Sequence, residues 1–122
     1  MDQIINAFKL AVQENYVNFS GRANKAEYWY FVLGSVILSV LINIIGAILP
    51  DTIGMILSGA LSLGIMLPSI GAAVRRLHDI NKSGWFFLIA LIPFGVFYLI
   101  YLLIQSSDQG PNQYGEPSKN LQ

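Results

Sequence analysis

The chain has 122 residues, of which 54% are hydrophobic and 11% charged, with seven basic and seven acidic side chains and no cysteine. A soluble domain carries roughly 25% charged residues, so this composition points to an integral membrane protein and excludes a large soluble enzyme. Zero net charge argues against a general nucleic-acid binder, and the lack of thiols excludes a disulfide framework, thiolate metal sites and a cysteine nucleophile.

Residues 3–13 place Ile4, Phe8, Ala11 and Val12 at helical spacing with Gln3, Asn6, Lys9 and Gln13 between them, which predicts an amphipathic helix lying in the membrane interface. Asp2, Lys9, Glu14, Arg22, Lys25 and Glu27 all precede the first long apolar run. That is not the start of a cleavable signal, and the mature chain is expected to begin at or near Met1. After a turn-like break at Ser20-Gly21-Arg22, Asn24 and Glu27 stand three apart as cap and N3 of a capping box.

Three uncharged runs follow, 28–50, 52–74 and 83–107, of 23, 23 and 25 residues. At ~1.5 Å per residue the shorter ones make a helix of about 34 Å, enough for a hydrocarbon core of roughly 30 Å. The expected fold is an all-α integral membrane protein in a single domain, 1–122. It has the interfacial N-terminal helix, three transmembrane helices over 28–50, 52–74 and 84–107, and a polar tail over 108–122.

Ser35, Ser39, Asn43 and Ala47 recur every four residues in the first span, and Gly54, Ser58 and Ser62 in the second. Lipid tails are as apolar as leucine, so helices associate through close approach over small residues, and these two stripes are assigned to helix packing. Pro68 cannot donate to the carbonyl of Gly64, which predicts a kink. Pro93 and Gly95 interrupt the third run, which is either one kinked span or a broken re-entrant pair. The single span is preferred, because a turn at mid-membrane leaves lipid-facing backbone groups unsatisfied. Lys9, Arg22, Lys25, Arg75, Arg76 and Lys82 flank one side, against only Lys119 in the tail, so the N-terminus is expected in the cytoplasm and the C-terminus in the periplasm.

His78 is the only histidine, so no two-histidine zinc site can be drawn, and no metal or cofactor is expected. Gly54 and Gly59 have phosphate-loop spacing, but Ala60 stands where a lysine is required. The polar residues at the cytoplasmic ends, Arg22, Lys25, Glu27, Arg75, Arg76, His78, Asp79 and Lys82, are the candidate lipid- or partner-binding set. They serve as anchors to anionic headgroups, as a specific site for a phosphorylated headgroup or partner protein, or as a catalytic pair of His78 and Asp79. The last needs a nonhelical turn, because adjacent helical residues point roughly 100° apart. An unpartnered charge at this depth is costly, so Arg22 or Arg75 is expected near Glu27 or Asp79.

Three motifs carry a family resemblance: Gly21-Arg22-Ala23-Asn24-Lys25-Ala26-Glu27-Tyr28-Trp29, Arg75-Arg76-Leu77-His78-Asp79 with Ser83-Gly84-Trp85, and Gly110-Pro111-Asn112-Gln113-Tyr114-Gly115. Together they closely resemble the bacterial family called domain of unknown function 805. Asn24-Lys25 replaces the family's usual serine-arginine, and Ile80-Asn81-Lys82 its usual threonine-glycine-arginine. The resemblance implies a small multi-span protein of the bacterial cytoplasmic membrane with no established activity. It singles out Gly21, Arg22, Glu27, Trp29, Arg75, Arg76, His78, Asp79, Gly84, Trp85, Asn112 and Gly115 as motif residues.

The favoured function is a noncatalytic protein, not an enzyme, that binds membrane lipids through anionic headgroups, or a protein partner or second copy, and no nucleic acid. A small transporter or channel subunit is the alternative, although no span holds an ionisable side chain before its ends. A membrane enzyme acting on an anionic lipid is the third reading.

Overall fold

The computed structural model describes residues 1–16 and 18–118. Helix α1 covers Asp2–Lys9 and runs on into a π-helical turn, Leu10–Glu14. Its apolar side meets protein: Ala7 and Ala11 are buried, and the Phe8 ring lies 5.4 Å from that of Phe31. Gly34 makes room for this approach, since a Cβ there would stand 3.0 Å from Ile4 Cγ2 and 3.2 Å from Phe8 Cδ2. The predicted amphipathic helix is therefore present, packed along the flank of the next helix, with Gln3, Asn6, Lys9 and Gln13 outward.

Helices α2, Lys25–Ile48, and α3, Asp51–Asp79, form an antiparallel hairpin closed by Leu49 and Pro50, and both are long and apolar enough to cross a membrane. Asn24 caps α2, its side-chain oxygen accepting the Glu27 N–H at 2.8 Å as expected of an asparagine cap. The helices cross most closely at Gly46 and Gly54, where a Cβ on Gly54 would stand 2.9 Å from the Gly46 carbonyl oxygen. Ser58 Oγ donates to Asn43 Oδ1 at 3.4 Å beside this crossing. Ser35 and Asn43 are turned onto their own helix, donating to the carbonyls of Phe31 and Ser39. Ser62 and Ala47, placed in the small-residue stripes by spacing, are exposed. On α3 the partly buried positions instead include Leu57, Leu61 and Ile65, four apart.

Pro68 is buried inside α3 without ending it. The carbonyl of Gly64 that it leaves without a helical partner accepts the Tyr16 hydroxyl at 2.8 Å. The segment after α1 thus crosses α3, and Asn18 and Phe19 go on to press against Gly71.

The third apolar run departs from expectation. It is not one span over 84–107 but a 3₁₀ segment, Gly84–Leu91, and a short helix α4, Gly95–Leu103, folded back on each other. Pro93 and a left-handed Phe94 (φ 64°) make the reversal, and Gly95 completes it. A Cβ at Gly95 would lie within 1.8 Å of the Ile89 carbonyl oxygen, so only glycine fits. The reversal satisfies its own backbone through Ile92 N to Ile89 O, Gly95 N to Ile92 O and Phe97 N to Phe94 O. Those local bonds remove the penalty that favoured a single span. Eight 3₁₀ residues at ~2.0 Å each and nine α residues at ~1.5 Å reach about 16 and 14 Å, half a bilayer. Leu99, Leu102 and Leu103 bury against Leu77, Tyr28 and Trp29, which returns the chain to the end of the hairpin where α2 begins and α3 ends.

The tail therefore lies at the same end as Arg22 and His78, not at the opposite one. Asp108 N–H donates to the Asp79 carbonyl at 3.0 Å, and residues 112–115 form a small bridge-closed turn there. Residues 119–122 of the expected tail, Lys119 among them, lie outside the described residues.

Candidate functional site

Three elements converge at this end: the loop before α2, the last turn of α3 and the turn of the tail. Gly21 adopts a left-handed φ of 84°, open to glycine without strain, and so turns the chain into Arg22. The Ala23 N–H then pins the loop to the Arg75 carbonyl at 3.0 Å. Arg22 uses all five of its N–H donors. Nε donates to Asp79 Oδ1 at 2.9 Å, Nη1 to the carbonyls of Gly110 and Gly115 at 2.9 and 3.1 Å, and Nη2 to those of Asp79 and Asp108 at 3.2 and 2.9 Å.

Asp79 is fully buried and shared. Its Oδ2 accepts Arg76 Nη1 at 2.8 Å, while Arg76 Nε and Nη2 donate to the carbonyls of Leu103 and Gln105. Trp29 Nε1 donates to the same Leu103 oxygen at 3.0 Å. Arg75 pairs with Glu27 through Nη1 and Oε2 at 3.1 Å, and Glu27 Oε1 accepts the Ser118 hydroxyl at 2.9 Å. The expected proximity of Arg22 and Arg75 to carboxylates is met by both, through two separate acids.

His78 and Asp79 are consecutive residues of an unbroken helix and diverge accordingly. Asp79 faces the arginines, whereas His78 Nδ1 lies 2.9 Å from the Gly21 carbonyl, which can only accept, so Nδ1 carries a proton. This geometry does not form a His-Asp catalytic pair. Tyr114 stacks on the imidazole at 3.9 Å and 4°, held by its own N–H on Asn112 Oδ1, while Asn112 Nδ2 donates to the His78 carbonyl. Lys25 and Lys82, included in the candidate set by charge, are exposed and outside the cluster, with Lys82 Nζ 5.9 Å above the Phe86 ring.

The family description "Protein of unknown function (DUF805)" matches residues 16–116. The chain belongs to this family. Among curated relatives, the inner membrane protein YhaI of Escherichia coli K12 is 40% identical over 111 residues, covering 90% of this chain and 93% of its own. The inner membrane protein YhaH of the same organism is 35% identical over 114 residues, covering 90% and 94%. No solved structure matches the chain. In this DUF805 member residues of three motifs far apart in sequence are joined through buried arginines, and two helices apolar enough to cross a bilayer agree with relatives named as inner membrane proteins.

Beside the network runs a groove of about 500 Å³. Ile70, Val74 and His78, four apart on α3, line it together with Phe19, Tyr114 and Ser83 and with Gly84, Trp85, Phe87 and Leu88 from the 3₁₀ segment. Gly84 allows that segment to sit close, because a Cβ there would lie 2.7 Å from Val74 Cγ1. Nδ1 of His78 is turned to Gly21, which leaves Nε2, without a partner among the described residues, as an acceptor when the ring is neutral. Reading by sequence missed Gly46, the Tyr16–Gly64 bond and the tail's arrival. The first two had a signal in a glycine near the end of an apolar run and in the carbonyl orphaned by Pro68.

Proposed function

We propose that the chain is a noncatalytic lipid-binding protein of the bacterial inner membrane, and that the groove along α3 takes one membrane lipid. The observation carrying this reading is the groove's polarity. Ile70, Val74 and Leu88 make one end apolar, and His78, Ser83 and Tyr114 make the other polar, over about 12 Å of helix at ~1.5 Å per residue. That gradient runs along α3, so the polar end sits at the membrane surface and the apolar end deeper, the orientation of a lipid in its leaflet. Trp85, 78% exposed at the groove, is the residue type enriched at that level.

The arginines take a different part from the one expected of headgroup ligands, since Arg22 is saturated by carbonyls and a carboxylate and every nitrogen of Arg76 is bonded to one. The names of the relatives support the inner membrane as location, and Lys25 and Lys82 at the cluster's end support its cytoplasmic side. Native mass spectrometry of protein extracted in mild detergent tests the reading. One lipid per chain is expected on the wild type and none on Ile70→Trp, whose ring fills the groove, with both melting alike. A wild type free of lipid, or equal retention by a folded Ile70→Trp, overturns it.

A further inference from the structure

We propose that the free edge of the Arg75 guanidinium is a binding site for one phosphate-type oxyanion, separate from the groove. Arg75 is 3% exposed, and its one bonded nitrogen, Nη1, holds Glu27. Nε and Nη2 are shielded from solvent and have no partner among the described residues. These two belong to the same edge of the planar group, with N–H bonds side by side. That is the fork which matches two oxygens of a phosphate or carboxylate.

The network as a whole is also short of negative charge. The buried network holds three guanidiniums, Arg22, Arg75 and Arg76, against two carboxylates, Glu27 and Asp79. The Asp108 carboxylate, half-buried nearby, is held by Asn112 and pairs with no arginine among the described residues. Arg22 is saturated and Arg76 is bonded through all three nitrogens. The excess positive charge lies with Arg22 and Arg76, which share Asp79, whereas Arg75 is paired with Glu27 and carries the unused donors. Buried N–H groups left without acceptors are themselves costly, and one bound oxyanion would give both an acceptor while adding a negative charge to a network that is one short. Arg75 stands level with the first turn of α2, at the end of the helical hairpin, and entry of either a phospholipid's phosphodiester or free phosphate requires the cover over Nε and Nη2 to open.

The test uses the whole chain, delipidated in a neutral detergent with its arginines labelled with ¹⁵N. There are three arginine Nε resonances, and those of Arg22 and Arg76 are already bonded, so a single peak is expected to move. Inorganic phosphate and dihexanoyl phosphatidylglycerol are titrated separately. Saturation of that peak is expected with both. At least tenfold tighter binding of the lipid identifies a headgroup as the source, and the reverse order identifies free phosphate.

Arg75→Lys retains the charge beside Glu27 without the parallel fork, and is expected to bind at least tenfold more weakly. Ile70→Trp, which blocks the groove, is expected to leave the titration unchanged, so the two sites fail independently. Should Arg75→Lys not fold, the wild-type titration decides alone. A folded wild type whose peaks respond to neither ligand, as when a buried water satisfies the fork, overturns the site, and so does unchanged affinity in Arg75→Lys.

Discussion

Asp79→Asn probes the junction on which the third motif depends. The carboxylate is 0% exposed and joins two guanidiniums, Arg22 at 2.9 Å and Arg76 at 2.8 Å. The amide retains the shape but keeps one acceptor where two were used, and it turns an N–H₂ toward an arginine. A lost charge-assisted bond is worth about 1.5–3 kcal/mol, and removing one partner of a buried ion pair typically costs about 3–5 kcal/mol. The two arginines do not double that figure, because Arg22 keeps four carbonyl acceptors and Arg76 keeps two. The expected loss is therefore about 3–5 kcal/mol in all. Asp108→Asn is the control: half-buried and bonded to Asn112, it should lose no more than about 1 kcal/mol. Reversible unfolding in mixed micelles, followed by the fluorescence of Trp29 against the end of α4, measures both. A loss below about 1 kcal/mol for Asp79→Asn, or one no larger than the control's, would refute the view that this acid holds the network together.

The absence of cysteine makes single-cysteine labelling clean. An impermeant thiol reagent is expected to reach Ser20→Cys and Gln109→Cys from one side of the membrane and Asp51→Cys from the other, and labelling of positions 109 and 51 from a common side would reject the re-entrant fold. Gly54→Leu forces apart a crossing where a Cβ already stands 2.9 Å from the Gly46 carbonyl, and should lower stability by about 1–3 kcal/mol. Ile56→Ala, at a site 64% exposed, should change little in the same detergent melt. Tyr16→Phe leaves the Gly64 carbonyl without its hydroxyl partner, and a loss of about 1 kcal/mol is expected in the same unfolding assay.

The helical hairpin was legible because lipid imposes a length rule on uncharged runs. The runs 28–50 and 52–74 lie close to Lys25–Ile48 and Asp51–Asp79. The helix ends were less legible, since α3 continues through Arg75–Asp79, where charge suggested an exit from the membrane. The third run misled for a physical reason. Its 25 uncharged residues satisfy the length rule equally well as one span or as two half-spans, and the choice turns on whether Pro93, Phe94 and Gly95 bond their own backbone. Hydropathy does not report that, whereas a proline two residues before a glycine was the visible trace. At the site, residue types were legible and pairings were not. Glu27, placed in a capping box by spacing, gives its carboxylate to Arg75 and Ser118, and the partners of Arg22 lie 57 to 93 positions away.

The long-range character of those bonds explains why a membrane protein buries so much charge. In water, the apolar side chains of 84–103 would drive the segment onto the hairpin. In lipid such side chains would gain little by leaving the hydrocarbon for protein, so apolarity alone would leave the folded-back pair undirected. A carbonyl at the end of α4, by contrast, has few partners in hydrocarbon, and Arg76 and Trp29 offer Leu103 two donors at one place. Arg22 does the same for the carbonyls of 108, 110 and 115, and Asp79 fixes both arginines so that their donors face the returning chain. The arginines therefore specify where the third segment ends, and the groove exists because that segment is held there: Gly84 on Val74 sets one wall, and Tyr114 on His78 closes the other.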